Sequence, residues 1–140
     1  MKIQFKKLKE DAQIPTRAKE GDAGFDFYAL NEFSLYPGER VAADTHIACA
    51  IPFGYVGLIK SRSSVSKRGI DALAGVIDSG YRGEVKILLT NNKSYRVLIK
   101  KGDRLAQMVV IPALLDSEEV DELPESFDGR GAGGFGLTGA

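Results

Sequence analysis

The sequence contains one cysteine, one histidine and no tryptophan in 140 residues. A lone Cys49 cannot close an intramolecular disulfide, which excludes a secreted disulfide scaffold. A lone His46 leaves a histidine-rich zinc site or a Ser-His-Asp triad hanging on a single ring. No apolar run approaches the roughly 18 residues of a membrane-crossing helix, and Met1 to Lys7 lacks the apolar core of a signal peptide. A surplus of one charge is missing too, since 19 basic side chains face 19 acidic ones. A broad basic face for nucleic acid is therefore not expected. These absences predict a soluble, cytoplasmic chain that binds neither membrane nor nucleic acid.

Apolar residues at 44% and charged residues at 27% suit an ordinary globular fold. For this mass, about 7,000 Å² should stay exposed of roughly 22,000 Å² in the unfolded chain, enough burial for one core. Sixteen glycines punctuate short Val-, Ile-, Leu- and Tyr-rich runs, the pattern of many short strands joined by tight turns. Such runs are Ile3–Phe5, Phe33–Tyr36, Thr45–Ile51, Tyr55–Ile59, Val85–Leu89, Tyr95–Ile99 and Leu105–Ile111. One short helix is expected at Ser64–Arg68, with Ser64 as its cap and Gly69 ending it in the left-handed conformation. The expectation is an all-β, jelly-roll-like barrel or sandwich spanning 1–112. An acidic connector follows over 113–128, and a glycine-rich arm over 129–140, which loses much backbone entropy on ordering.

Three segments have chemical potential. The arm contains Gly131-x-Gly133-x-x-Gly136, but a dinucleotide fingerprint needs a strand before it and a helix after it, and here neither is present. What the arm does offer is open N–H groups, the cation of Arg130, the ring of Phe135 and the hydroxyl of Thr138. Such a set suits a ligand with phosphates at one end and a planar ring at the other. Lys60-Ser61-Arg62-Ser63-Ser64 can present a guanidinium, hydroxyls and N–H groups to an anion, or it can be an ordinary capped turn. Gly75–Val85 reads as a β-hairpin with Asp78-Ser79-Gly80 at its bend. There the Asp78 carboxylate either serves its own turn or closes a strand at a site beside the Tyr81 ring. His46, Cys49, Lys67 and Arg68 read as structural or solvated, and Arg82 and Glu84 as ion-pair partners within the hairpin.

Taken in order, Asp22–Ala29, Arg62–Ser64, Gly75–Val85, Lys101–Met108 and Arg130–Gly139 closely resemble the motifs of the trimeric dUTPases, from about residue 20 to the C-terminus. The resemblance implies hydrolysis of dUTP to dUMP and pyrophosphate, which limits uracil incorporation into DNA and supplies dUMP for dTMP synthesis. It implies a homotrimer with three sites at subunit interfaces, each closed by an arm crossing from a neighbour. By the same resemblance, Asp78 activates the water that attacks the α-phosphorus, because an ionised carboxylate can take that water's proton. Tyr81 packs on the deoxyribose and leaves no room for a 2′-hydroxyl. Gly75 and Lys86 lie with Tyr81 around the nucleoside, Phe135 stacks on uracil, and main-chain groups of the hairpin read the base. Arg62, Ser63, Ser64, Gln107, Arg130 and Thr138 hold phosphates. Mg²⁺ is held mainly by the triphosphate, with Asp26 supporting it through water. Asp103 orients a cation of the site. Leu137 departs from the family's usual Ser and removes one hydroxyl donor.

Three rival readings remain. A dCTP deaminase shares the fold, but it needs a Glu where Leu88 stands. A non-catalytic nucleotide sensor or protein-binding module is favoured only by Leu137. A purely structural jelly roll leaves Asp78, Tyr81 and Arg130 without work.

Overall fold

Short apolar runs broken by turn residues become eleven strands and one helix in the computed structural model, which describes residues 1–134. The strands are β1 (Gln4–Lys7), β2 (Gly24–Tyr28), β3 (Phe33–Leu35), β4 (Arg40–Ala43), β5 (Ile47–Ala50) and β6 (Tyr55–Lys60). Then come α1 (Ser63–Lys67), β7 (Ile70–Leu73), β8 (Val76–Ile77), β9 (Ile87–Asn91), β10 (Val97–Ile99) and β11 (Arg104–Pro112). They form a four-stranded sheet in the order β2-β11-β6-β8, a three-stranded sheet β4-β9-β7, and the pairs β1-β5 and β10-β3. Every strand pairing among the described residues is antiparallel, and the small sheets wrap one core as a jelly-roll-like sandwich.

The core follows from strand alternation. Ile87, Leu89 and Asn91 are buried on β9 while Leu88 and Thr90 are less so. Val97 and Ile99 repeat the pattern on β10, the period-two signal of a half-buried strand. β11 is the longest strand and is flanked on both sides, by β2 and β6, and it buries Leu105, Ala106 and Met108. These side chains join Phe27, Leu35, Ile47, Ile59 and Ile70 in one cluster. Phe5 meets Phe25 and Phe27 edge-on at centroid distances of 5.3 and 6.3 Å. The buried amide of Asn91 donates to the Leu35 and Tyr95 carbonyls and accepts the Lys93 N–H, so burial leaves it satisfied. No helix among the described residues is long and apolar enough to cross a membrane.

Three sequence expectations are corrected. β2 and β7 are strands that hydrophobic patterning did not mark. The N-cap of α1 is Arg62, without a side-chain capping bond, rather than Ser64, although Gly69 does take a positive φ of 83°. The Gly75–Val85 segment is not a paired hairpin. β8 pairs with β6, and β9 pairs with β4 and β7, so the two arms of the segment stand apart. Asp103 accepts the Lys100 N–H within its own turn, while Asp26 faces the Arg62 and Arg104 guanidinium groups.

Candidate active site

β6 and its partner β8 carry the site. Gly57 lies opposite Ile77 and Leu58 opposite Val76, so β8 delivers Asp78 beyond the ladder at the level of Val56. At its other end β6 runs through Lys60 and Ser61 into Arg62 and Ser63, at the start of α1. At about 3.3 Å per residue, Val56, level with Asp78, and Lys60, where β6 ends before Arg62, are roughly 13 Å apart along the strand.

Around Asp78, the parted arms enclose a cavity of about 470 Å³ lined by Gly75, Asp78, Tyr81, Glu84, Lys86 and Leu88, among others. Gly75 sits at φ +98°, and a Cβ there would come within 2.7 Å of Ile59 Cβ and 3.0 Å of its carbonyl. Its carbonyl accepts the Ile59 N–H at 2.8 Å, which seats the first arm on β6. The Asp78 carbonyl accepts the Tyr81 N–H at 3.1 Å. Its side chain is exposed and makes no hydrogen bond or ion pair among the described residues. Tyr81 lays its ring over Gly83, where a Cβ would fall 2.6 Å from the hydroxyl, and that hydroxyl donates to the Glu84 carbonyl at 2.7 Å. Arg82 and Glu84 are not partners of each other. Arg82 donates to the Ser79 and Tyr81 carbonyls, while the Glu84 carboxylate accepts the N–H groups of Thr45 and His46 at 3.0 and 2.9 Å. Lys86 pairs with Asp44 at 3.3 Å.

At the far end of β6, Asp26, Arg62, Ser63 and Gln107 line a second cavity of about 280 Å³ together with Asp22. Asp26 is 4% exposed, and its two oxygens face Arg62 Nε at 2.9 Å and Arg104 Nε at 3.7 Å. A carboxylate buried this deeply requires such partners. It in turn fixes the Arg62 guanidinium at the cavity wall. Gly24 leaves the room Gln107 occupies, for a side chain there would collide with the Gln107 amide. Gln107 donates to the Ser61 carbonyl. Ser64 lies just outside this lining and accepts from Arg62 at 3.3 Å.

The two cavities divide the expected site residues into two groups, Gly75, Asp78, Tyr81 and Lys86 in one and Arg62, Ser63 and Gln107 in the other. Comparison with known proteins gives the chain a family. The dUTPase family model matches residues 10–139. A deoxyuridine 5'-triphosphate nucleotidohydrolase of Nautilia profundicola is 43% identical over 143 residues, covering 99% of both chains. One from Paramecium bursaria Chlorella virus 1 is 44% identical over 136 residues, covering 96% of this chain and 95% of that one. Among solved structures, a variant of the Staphylococcus bacteriophage 80alpha dUTPase with dUpNHpp superposes with a TM-score of 0.90 at 31% identity, covering 99% of each chain. A variant of the phage phi11 dUTPase, described with a structural Mg(II) ion, gives 0.80 at 31% identity over 87% of this chain and 98% of that one. The chain belongs to the dUTPase family.

Both Asp26 oxygens in the second cavity face guanidinium groups, so this carboxylate has no free oxygen for direct coordination of a hard cation such as Mg²⁺. A separate cluster of Asp44, His46 and Glu84 brings ligand-type atoms within 4.8 Å of one another. Its members are engaged by Lys86, by Asp11 and by backbone N–H groups, and imidazole is not a ligand that Mg²⁺ favours. Arg130 lies in neither cavity. Its Nε donates to the Gly133 carbonyl, and the arm around it is exposed. Phe135, Leu137 and Thr138 lie outside the described residues. Burial pushes the Cys49 thiol up, as befits a structural cysteine. Sequence reasoning missed Arg104, which shares Asp26 with Arg62, and the Thr45–His46 corner that holds Glu84.

Proposed function

We propose that this dUTPase hydrolyses dUTP to dUMP and pyrophosphate at a site assembled from the first cavity of one copy and the second cavity of another. The observation that carries the reading is the distance along β6. A water held by Asp78 must reach the α-phosphorus while Arg62, Ser63 and Gln107 hold the same phosphate chain, and one chain places Asp78 and Arg62 at opposite ends of β6, whose Val56–Lys60 stretch alone spans roughly 13 Å. A homotrimer with shared sites removes the conflict. The exposed surface supports it as well. Leu114, Leu123 and Phe127 of the connector are 93%, 85% and 102% exposed, apolar side chains that a neighbouring copy would cover.

Asp78 accepts the proton of the attacking water, whose oxygen bonds to the α-phosphorus as the bond to the bridging oxygen of the pyrophosphate breaks. Tyr81 packs on the deoxyribose, and a 2′-hydroxyl would collide with its ring. Gly75 and Lys86 border the same pocket. Main-chain groups of the Gly75–Val85 segment that neither β6 nor the local turns engage read uracil. A 4-amino group would meet a donor there and leave it unpaired. Leu88 gives the cavity an apolar wall where a deaminase needs a Glu. Arg62, Ser63, Ser64 and Gln107 receive the α- and β-phosphates. The 129–140 arm closes over the nucleotide, with Arg130 on the γ-phosphate, Phe135 on the base and Thr138 on phosphate. When bound with the triphosphate, Mg²⁺ would supply charge neutralisation to the phosphates, and Asp26 would support its water shell.

The test is pyrophosphate release from dUTP, dCTP, dTTP and UTP in parallel with Mg²⁺. Rapid release from dUTP alone is expected. Release from dCTP or UTP at the dUTP rate contradicts the pocket assignment.

A further inference from the structure

We propose that Glu84 is a positioning residue for Tyr81 and so sets the discrimination between deoxyribose and ribose triphosphates. The proposal rests on the reading of Tyr81 as the ring that screens the sugar.

Residues Tyr81 to Lys86 belong to no strand among the described residues, so the usual ladder does not hold the ring's support in place. A corner between β4 and β5 does this instead. One Glu84 oxygen accepts two successive backbone N–H groups, from Thr45 and His46, the arrangement by which a main-chain nest binds an anion. His46 adopts a φ of +54°, a left-handed conformation uncommon for a residue with a side chain. The same corner grips the next residue, since Thr45 Oγ1 donates to the Val85 carbonyl at 2.5 Å and the Val85 N–H donates to Ile47 at 2.8 Å. Thr45 is 2% exposed, so this anchor belongs to the rigid core.

From that anchor the path to the sugar is short. The carbonyl of Glu84 accepts the Tyr81 hydroxyl, the one hydrogen bond that the hydroxyl makes among the described residues. Gly83 lies beneath the ring and offers no side chain to steer it. The lateral position of the ring is therefore set by where Glu84 holds its own carbonyl. Excluding a single 2′-oxygen by contact demands placement to a fraction of an ångström, and a displacement of about 1 Å is enough to change rates by orders of magnitude. The carboxylate touches neither sugar nor phosphate in this scheme. It acts only through the ring.

The experiment compares kcat and KM for dUTP and for UTP, with melting temperature, in the full chain and in Tyr81→Ala, Glu84→Ala and Glu84→Gln. Glu84→Ala should lower the dUTP/UTP ratio of kcat/KM by about tenfold or more. Glu84→Gln keeps an amide oxygen able to accept both N–H groups and should recover most of the ratio, an outcome that loss of stability alone does not produce. If Tyr81→Ala lowers the ratio while folded Glu84→Ala leaves it unchanged, the positioning role is overturned. If Tyr81→Ala leaves the ratio unchanged, the sugar screen is misassigned and this proposal falls with it. Should Glu84→Ala fail to fold, Tyr81→Phe keeps the ring and removes only its tether. The same direction of change is then expected, and an unaltered ratio overturns the proposal.

Discussion

At the scale of single residues, Asp78 and Asp26 are both carboxylates, yet their surroundings give them opposite tasks. Asp78 is exposed and its carboxylate makes no hydrogen bond or ion pair among the described residues, which leaves both oxygens accessible. Asp78→Asn should retain nucleotide binding while the chemical step slows by on the order of 100-fold or more, read by single-turnover kinetics. Asp26 is buried between two guanidinium groups, and Asp26→Ala should leave both without their partner. Breaking a buried pair typically costs about 3–5 kcal/mol, and the lower part of that range is expected because Arg104 is partly exposed. Urea unfolding measures the loss, and a raised KM for dUTP should accompany it as Arg62 loses its anchor. Asp11 supplies a pH-dependent contact. The hydrogen bond from His46 Nδ1, at 2.8 Å, holds its carboxyl below the ordinary 3.8. A lowered folded-state value means the contact stabilises the fold above the unfolded value and is lost as pH falls through the folded one. The small gap in melting temperature between the protein and Asp11→Asn at pH 6 should therefore close on acidification below 3.8.

Turn chemistry marked Asp78 and Arg62 as candidates in the sequence, because their neighbours specify a local geometry, whereas Gln107, inside β11, was legible only through the family resemblance. Their supports were not legible. Glu84 meets Thr45 across 39 residues of sequence, and Arg104 reaches Asp26 only because β11 pairs with β2. No local pattern encodes such contacts.

At the scale of elements, the strands that alternate, β9 and β10, could be read directly, whereas β2 and β7 could not. β2 buries Asp26, Phe27 and Tyr28 in succession, which erases the period of two, and β7 is four residues containing Asp71 and Ala72. The parted arms beyond β8 were hidden for a different reason. Turn chemistry at Asp78-Ser79-Gly80 looks alike whether the flanking arms pair with each other or with third strands. That distinction has a consequence at Gly83, where an added methyl would enter the Tyr81 ring. Gly83→Ala should leave the melting temperature within a few degrees of wild type yet lower turnover of dUTP, as steady-state kinetics would record. By contrast Leu89→Ala, which empties a fully buried position on β9, should cost about 2–5 kcal/mol of stability in urea unfolding.

At the scale of the whole molecule, balanced charge conceals a division. Residues 113–128 hold seven acidic side chains and no Lys or Arg, so the remainder of the chain is correspondingly basic. An exposed acidic connector bearing unburied leucines and a phenylalanine suits a segment that lies against another copy. Removing 129–140 should leave an assembled trimer by light scattering that has lost nearly all turnover, and full activity in the shortened protein would refute the closing role of the arm.

The shared site is tested most directly by mixing two disabled subunits. Asp78→Asn and Arg62→Ala should each be nearly inactive as pure assemblies. Co-assembled in equal amounts, they should form intact sites wherever one copy supplies Asp78 and its neighbour supplies Arg62, roughly a quarter of all sites by random pairing. Recovery of pyrophosphate release toward that fraction is the predicted result. Mixed assemblies as inactive as either parent would mean that each chain carries its own complete site, contrary to the separation imposed by β6.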